Sequence, residues 1–173
     1  KVFRKVFEHA FIIKAIMEVQ PLIKHDHQEF SITQLPREQL HQLDALNYEL
    51  FRERRIINRT NHELLIILVA RLHDIPVGFK IGYGRKNNEF YSAKGGVLPR
   101  FRRRKLASCM LDLMMEQAAQ YGYRRFVYDT FPNKHNGMAL LGFQRGFRLI
   151  DAKYNARYSD YQLTLQKRLT PGL

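Results

Sequence analysis

The spacing of apolar residues changes several times along the chain, and each change predicts a different element. Between 63 and 98, three apolar segments are separated only by short polar turns, which predicts three consecutive antiparallel strands. The segments are ELLIILVARL at 63–72, VGFKIGYG at 77–84 and EFYSAKGGVL at 89–98. The turns between them contain the His, Asp, Pro and Asn residues that are typical of chain reversals. We therefore expect a meander of three strands.

Helical spacing predicts four further elements. Residues 1–20 carry apolar side chains at i, i+3 and i+4, which indicates an amphipathic helix that packs against the domain or forms a dimer. Residues 21–29 are polar and are expected to form a connection. The other predicted helices span 36 to about 56, 102–121 and 133–144.

The remaining apolar segments predict strands, at 30–35, at 124–131 and twice between 148 and 169. Antiparallel strands interrupted by single helices indicate an α+β domain, with a mixed sheet of about six to seven strands flanked by helices. Strands joined by turns rather than by helices argue against a doubly wound nucleotide fold. We expect an N-terminal helical extension, 1–29, followed by one domain, 30–173.

Charge adds an expectation about the partner. The 29 Lys and Arg residues exceed the 16 Asp and Glu residues, which gives the 173-residue chain a net charge of +13. Such an excess favours nucleic acid, a membrane surface or a phosphorylated cofactor as partner. The longest apolar run, LLIILVA at 64–70, is too short to span a membrane, so a membrane partner is not expected.

The cysteine and histidine content predicts no metal site and no intrachain disulfide. Cys109 is the only cysteine, and the seven histidines show no zinc-like spacing. No secretory signal pattern is visible either, so the expected location is cytoplasmic.

The segment VLPRFRRRKLASCML, 97–111, is the strongest functional signal. Five of the six residues from Arg100 to Lys105 are cationic, and apolar residues with helical spacing follow them. A helix N-terminus already carries partial positive charge and free N–H groups, so added cations are unfavourable unless an anion binds there. Two glycines precede Pro99, and proline has no N–H to donate to a neighbouring strand. Regular strand pairing is therefore predicted to end before Pro99. The segment therefore predicts a phosphate-binding loop.

This segment also resembles the cofactor-binding motif of the GNAT superfamily of acyl-CoA-dependent N-acetyltransferases. That motif reads Val-x-Pro-x-Tyr/Phe-Arg-x-x-Gly-x-Gly/Ala. The matching residues here are Val97, Pro99, Phe101, Arg102 and Ala107. Lys105 stands where the family usually has its central glycine, and its side chain could either crowd or bind a pyrophosphate.

The resemblance continues before and after the motif. The segment 75–84 is similar to the strand that precedes it in many small members, and 133–147 is similar to the family's second motif. Together these pieces imply that strands 89–98 and 124–131 are parallel but diverge, with the pantetheine arm between them. They also imply acetyl-CoA as co-substrate and direct acetyl transfer to a primary amine of a small molecule or peptide.

The resemblance further implies which residues bind the cofactor. Asn133 would reach the pantetheine arm, although asparagine is equally favoured as a helix N-cap. The implied cofactor-binding residues are Gly96, Val97, Leu98, Arg102, Arg103, Arg104, Lys105, Leu106, Ala107, Ser108, Asn133 and Phe143.

A general base is needed to remove a proton from the acceptor amine. Glu89 and Tyr91 share one face of their strand, and Asp129 lies near the end of the next one. Water relayed through the backbone is an alternative base. The family's usual general acid is a tyrosine, but Gly142 stands at that position here, which leaves Tyr154 or Tyr158 as substitutes.

Three functional hypotheses remain open at this point. The first is an acetyl-CoA-dependent N-acetyltransferase. The second is a non-catalytic CoA-binding protein of the same fold, because of Lys105 and the missing tyrosine. The third is a nucleic-acid-binding protein that uses the basic stripe, although no known RNA-binding signature is visible. Cys109 has core-like spacing with Leu106 and Leu113, which disfavours a nucleophilic role.

Overall fold

The computed structural model describes residues 22–25 and 28–170 of the chain. Eight strands form one mixed sheet in the order β1-β2-β3-β4-β5-β6-β8-β7. The strands are β1 (Leu22–His25), β2 (Gln28–Gln34), β3 (Leu65–Leu72), β4 (Ile75–Arg85), β5 (Glu89–Val97), β6 (Arg125–Thr130), β7 (Arg148–Asn155) and β8 (Asp160–Arg168). The helices are α1 (Asp44–Phe51), α2 (Leu106–Gln120) and α3 (Asn136–Gln144), and 3-10 turns span Arg37–Leu43 and Pro99–Phe101.

The predicted mixed fold is confirmed, including the antiparallel meander of β3, β4 and β5. All neighbouring strands are antiparallel except β5 and β6, which are parallel. The sheet has eight strands rather than six or seven, because residues 22–25 pair with β2 where a polar connection was predicted. The helix predicted over 1–20 lies outside the described residues.

Both faces of the central strands are covered. On one face α2 and α3 pack over Phe90 and Phe126, while α1 and the first 3-10 turn cover Ile67 and Phe79 on the other. Burial on both faces explains why β3 is a continuous apolar run rather than an alternating one. None of the helices in the described part of the chain is long and apolar enough to cross a membrane.

The helix predicted from 36 begins as the 3-10 turn and becomes α-helical at Asp44. Three further helix boundaries differ from the predictions, each at a residue whose backbone is not helical. The helix predicted to reach about 56 ends at Phe51, because Arg52 is left-handed with φ 57°. The helix predicted from 102 begins at Leu106, because Lys105 is left-handed with φ 62°. The helix predicted from 133 begins at Asn136 behind the N-cap residue His135, so the N-cap reading of Asn133 was wrong.

Candidate active site

The sheet opens between its two parallel strands. β5 and β6 pair from Glu89 opposite Arg125 to Ser92 opposite Tyr128, and the pairing stops there although β5 continues to Val97. The register of β5 with β4 also shifts at this point, which indicates a bulge in β5. The second half of β5 therefore presents an open backbone edge to a gap, which we call the cleft.

The basic segment forms a loop at the open end of the cleft. Arg102 is extended, Arg103 and Lys105 are left-handed with φ 64° and 62°, and α2 then begins. Within the described residues, amides 103–108 donate no backbone hydrogen bond, and the first bond of the helix runs from the Cys109 amide to the Lys105 carbonyl at 2.9 Å. Unpaired amides at a helix N-terminus can bind an anion.

The side chains of this loop divide into two groups. Arg104 binds Gln28 and lies over the rings of Phe30 and Phe101 at 5.6 and 6.0 Å, so it holds the loop against β2. The exposed side chains of Arg103 and Lys105 have no hydrogen bond or ion pair within the described chain. Their charges are therefore available to a ligand.

The other arginines of the segment also make contacts within the protein. Arg102 donates to the Val97 carbonyl at 3.1 Å, and Arg100 forms an exposed ion pair with Glu49 at 3.3 Å. The left-handed backbone of Lys105 explains why the related motif has glycine here, since glycine adopts this conformation without strain.

On the α1 face of the sheet, the structure brings together two of the three predicted base candidates. The Tyr91 hydroxyl donates to Asp129 Oδ2 at 2.8 Å, and Thr164 donates to Asp129 Oδ1 at 2.7 Å. Burial, and then the Asp129 charge, raises the pKa of Tyr91, so the phenol stays protonated. Arg85 lies over the Tyr91 ring at 3.4 Å from its centroid.

Glu89, the third candidate, makes no hydrogen bond to either residue of this pair, although Arg85 joins it to Tyr91. It begins β5, roughly 10 Å before Ser92 at about 3.3 Å per residue, and it forms an ion pair with Arg85 at 3.5 Å. It therefore lies beside the turn between β4 and β5, in the half of β5 that is still paired with β6.

On the opposite face lies Lys80, which the sequence did not predict as a site residue. Its side chain is only 5% exposed, it crosses Gly95, and its Nζ lies 6.0 Å from the centroid of the Tyr128 ring. Burial lowers the pKa of Lys80 from 10.5 to about 8. The available signal was a lone lysine in the apolar segment VGFKIGYG, with Gly78 and Gly82 on its own face by alternation.

A small cavity lies beside Lys80. Its volume is about 30 Å³. Its lining comes from β4, β5, α2 and α3, and consists of Phe79, Lys80, Gly95, Gly96, Ala107, Met110 and Met138. The cavity therefore connects the unpaired half of β5 with the first turn of α2, beneath the cleft.

Gly142 is explained by its neighbour. A Cβ at position 142 would lie 2.0 Å from the Tyr128 hydroxyl oxygen, so Tyr128 occupies the space that a larger residue would need. The Tyr128 hydroxyl donates to the Met138 carbonyl at 3.0 Å, and burial raises its pKa. Tyr128 is thus held as a protonated hydrogen-bond donor.

The remaining predicted residues lie on the elements that follow β6. Asn133 donates to Asp160 Oδ1 at 2.6 Å, which joins the loop after β6 to the start of β8. Phe143 is exposed on α3. Tyr158 packs on Phe131 with centroids 4.6 Å apart, whereas the exposed Tyr154 contacts Tyr161 on the terminal hairpin.

Cys109 is half-buried and packs against the α2 side of the core, where burial raises the pKa of its thiol. A raised pKa disfavours a thiolate nucleophile. Among the described residues, no three His, Cys, Asp or Glu side chains cluster as metal ligands.

Solved structures with the same fold are acetyltransferases of several kinds. IAA acetyltransferase from Bacillus cereus aligns at TM-score 0.68 and 16% identity, over 81% of this chain and 99% of its own. A GNAT-family acetyltransferase from Streptococcus pneumoniae gives 0.67 and 15%, over 82% and 100%. Arabidopsis thaliana Naa50, in complex with the bisubstrate analogue CoA-Ac-MVNAL, gives 0.65 and 20%, over 80% and 97%.

These identities show the fold alone. No curated protein sequence matches the chain significantly. The family model described as "Acetyltransferase (GNAT) domain" matches residues 39–130, which is more than half of the chain and includes the opening of the sheet and the basic loop. The chain therefore belongs to the GNAT acetyltransferase family.

Proposed function

We propose that this protein is an acetyl-CoA-dependent N-acetyltransferase that transfers the acetyl group directly to a primary amine. The observation that carries the proposal is the loss of β5–β6 pairing next to a loop of unpaired amides. CoA has phosphates at one end and an arm containing two amides at the other. The loop fits the phosphates and the open edge of β5 fits the arm, because both expose backbone groups that need partners.

The cofactor would be held mainly by backbone. Amides 103–108 would bind the pyrophosphate, and Arg103 and Lys105 would add charge that the protein itself does not use. Gly96 and Val97 would bind the arm, with Asn133 and Phe143 on its other side. Leu98 is a weaker candidate, because its amide and carbonyl already bond to the Val77 carbonyl and the Phe101 amide. The similar structure of Arabidopsis Naa50, a complex with a bisubstrate analogue that contains CoA, supports a CoA ligand in this fold.

The pair of Tyr91 and Asp129 would deprotonate the acceptor amine. Asp129 is the proton acceptor in this proposal, since a carboxylate retains lone pairs after accepting the hydrogen bonds of Tyr91 and Thr164. The amine nitrogen then attacks the thioester carbon. Glu89 is a weaker candidate because its ion pair with Arg85 lies away from the cleft.

An acceptor screen with acetyl-CoA tests this function. We expect turnover on at least one class among small amines and peptides, and a loss of at least tenfold in kcat for Asp129→Asn on that acceptor. The double variant Arg103→Ala/Lys105→Ala should raise the KM for acetyl-CoA severalfold. Lys86→Ala/Arg124→Ala, which removes the same two charges at the other end of β5, is its control. CoA binding without turnover on any amine would instead support a non-catalytic protein.

A further inference from the structure

The Lys80 side chain is largely buried, and its ammonium has no hydrogen bond or ion pair with any described residue. Lys80 is 5% exposed, and its Nζ lies over the ring of Tyr128 at 6.0 Å from the centroid. Burying such a group without a partner is unfavourable, so a buried lysine normally pairs with a carboxylate or a carbonyl. The lack of one within the described chain points to a group that arrives from outside.

The backbone around Lys80 directs this amine to the cleft. Lys80 is opposite Gly95 in the β4–β5 register, on the half of β5 that no longer pairs with β6. A Cβ on Gly95 would lie 3.2 Å from Lys80 Cγ, so glycine leaves the path across β5 open. The amine then lies near Tyr128, the last residue of β6 that pairs with β5. A molecule bound in the cleft between β5 and β6 therefore lies next to the Lys80 amine.

The small cavity beside Lys80 has mainly apolar walls. They come from Ala107 and Met110 on α2, Met138 on α3 and Gly95 on β5, and the buried Ser92, opposite Gly82, lies on the same face of β5. Tyr128 is the titratable neighbour, and its hydroxyl already donates to the Met138 carbonyl.

We infer that Lys80 is a catalytic residue of this transferase, and that its ammonium protonates the CoA sulfur as the thioester breaks. This inference rests on the proposed function. After the amine attacks, the carbon–sulfur bond breaks and its electron pair moves to sulfur. One Nζ proton then passes to that sulfur, which gives CoA thiol and a neutral Lys80, and solvent returns a proton to Lys80.

The two faces of the sheet would then have separate roles. Tyr91 and Asp129 lie on the α1 face, where the acceptor loses its proton, and Lys80 lies on the α2 face, where the thiol leaves. A lysine pKa near 8 also suits the exchange of a proton with a thiolate, because an acid works best when its pKa is close to the working pH.

The test measures the ionisation of bound CoA and needs no acceptor. The ultraviolet absorbance of the thiolate is followed against pH for CoA bound to wild type, Lys80→Met and the exposed control Lys86→Met. We expect the pKa of the bound thiol to be lower in wild type and in the control than in Lys80→Met by at least one unit, because an adjacent ammonium stabilises the thiolate. Equal thiol pKa values in all three proteins would overturn the inference.

Desulfo-CoA, which lacks the sulfur, provides the second arm. Lys80→Met should leave its affinity unchanged within about twofold while it changes the pH dependence of CoA binding. An equal effect on both ligands would mean that Lys80 acts on the arm or on folding, and would overturn the inference while leaving the proposed function intact. If wild type binds neither ligand, both proposals fail.

Discussion

At the scale of single residues, Lys105 shows that the loop has a fixed backbone shape. Its φ of 62° is one that non-glycine residues adopt at a free-energy cost of about 1 kcal/mol. The lysine side chain is exposed, so there is space for a side chain of any size at this position. Its charge would offset that cost in function by contacting a phosphate.

This conformation predicts the effect of two substitutions. Lys105→Gly should have a free energy of unfolding about 1 kcal/mol higher than Lys105→Ala, because only glycine adopts the left-handed region freely. Chemical denaturation of both variants measures the difference. Because alanine favours helices by a similar amount, the opposite order would show that residue 105 is part of α2 and that the loop is built differently.

Lys80 gives a second prediction, on stability against pH. Burial lowers its pKa to about 8 from 10.5, so between those values the unfolded chain binds the proton more strongly than the folded one. The free energy of unfolding therefore rises as the pH increases across that range, and the destabilisation caused by burying the Lys80 charge is greatest below pH 8. We expect Lys80→Met to be more stable than wild type at pH 7, by up to about 3 kcal/mol.

The measurement is thermal unfolding of both proteins at several pH values. The advantage of Lys80→Met should shrink as the pH rises toward about 10.5, with Lys86→Met as the control that shows no such trend. A difference in melting temperature between Lys80→Met and wild type that stays constant from pH 7 to about 10.5 would show that Lys80 is not desolvated.

At the scale of elements, the basic loop combines an anchor with a binding surface. Arg104 contacts Gln28, Phe30 and Phe101, whereas the exposed Arg103 side chain has no hydrogen bond, ion pair or ring contact within the described chain. The loop is therefore held by β2, a strand that is remote from it in sequence but in direct contact with it. Adjacent arginines therefore have different roles.

Single alanine substitutions should separate these roles. Arg104→Ala should lower the free energy of unfolding by about 1 kcal/mol through the lost ring and amide contacts, and Arg103→Ala should leave it unchanged. Arg103→Ala should weaken CoA binding at full stability. Denaturation and calorimetry together measure both effects. Equal stability of the two variants would contradict the anchoring role of Arg104.

The elements also show what could be predicted from the sequence. The meander was predictable because apolar spacing and turn residues are local signals, and the basic loop after β5 because charge and glycine pattern are local too. The start of α2 was not, since Arg103 and Lys105 adopt left-handed conformations that their residue types rarely signal. The contact of Tyr91 with Asp129 could be predicted only with the parallel register of β5 and β6. The position of Lys80 across from Gly95 likewise depends on the register of β4 and β5.

At the scale of the whole molecule, one break in the sheet organises the candidate site. The loop of unpaired amides lies at the open end of the cleft, Tyr91 and Asp129 lie on one face, and Lys80 lies on the other. The net charge of +13 is therefore partly concentrated where an anionic cofactor would enter. This arrangement explains why a basic protein need not be a nucleic-acid-binding one.

Titration calorimetry of the wild-type protein with CoA and acetyl-CoA tests the central claim most directly. We predict saturable binding of one molecule per chain, with a Kd between about 1 µM and 1 mM, the range usual for enzyme substrates. Arg103→Ala/Lys105→Ala should weaken it severalfold, and Lys86→Ala/Arg124→Ala should not. The contradictory result is no binding heat at about millimolar CoA, together with tight, steeply salt-dependent binding of RNA or DNA.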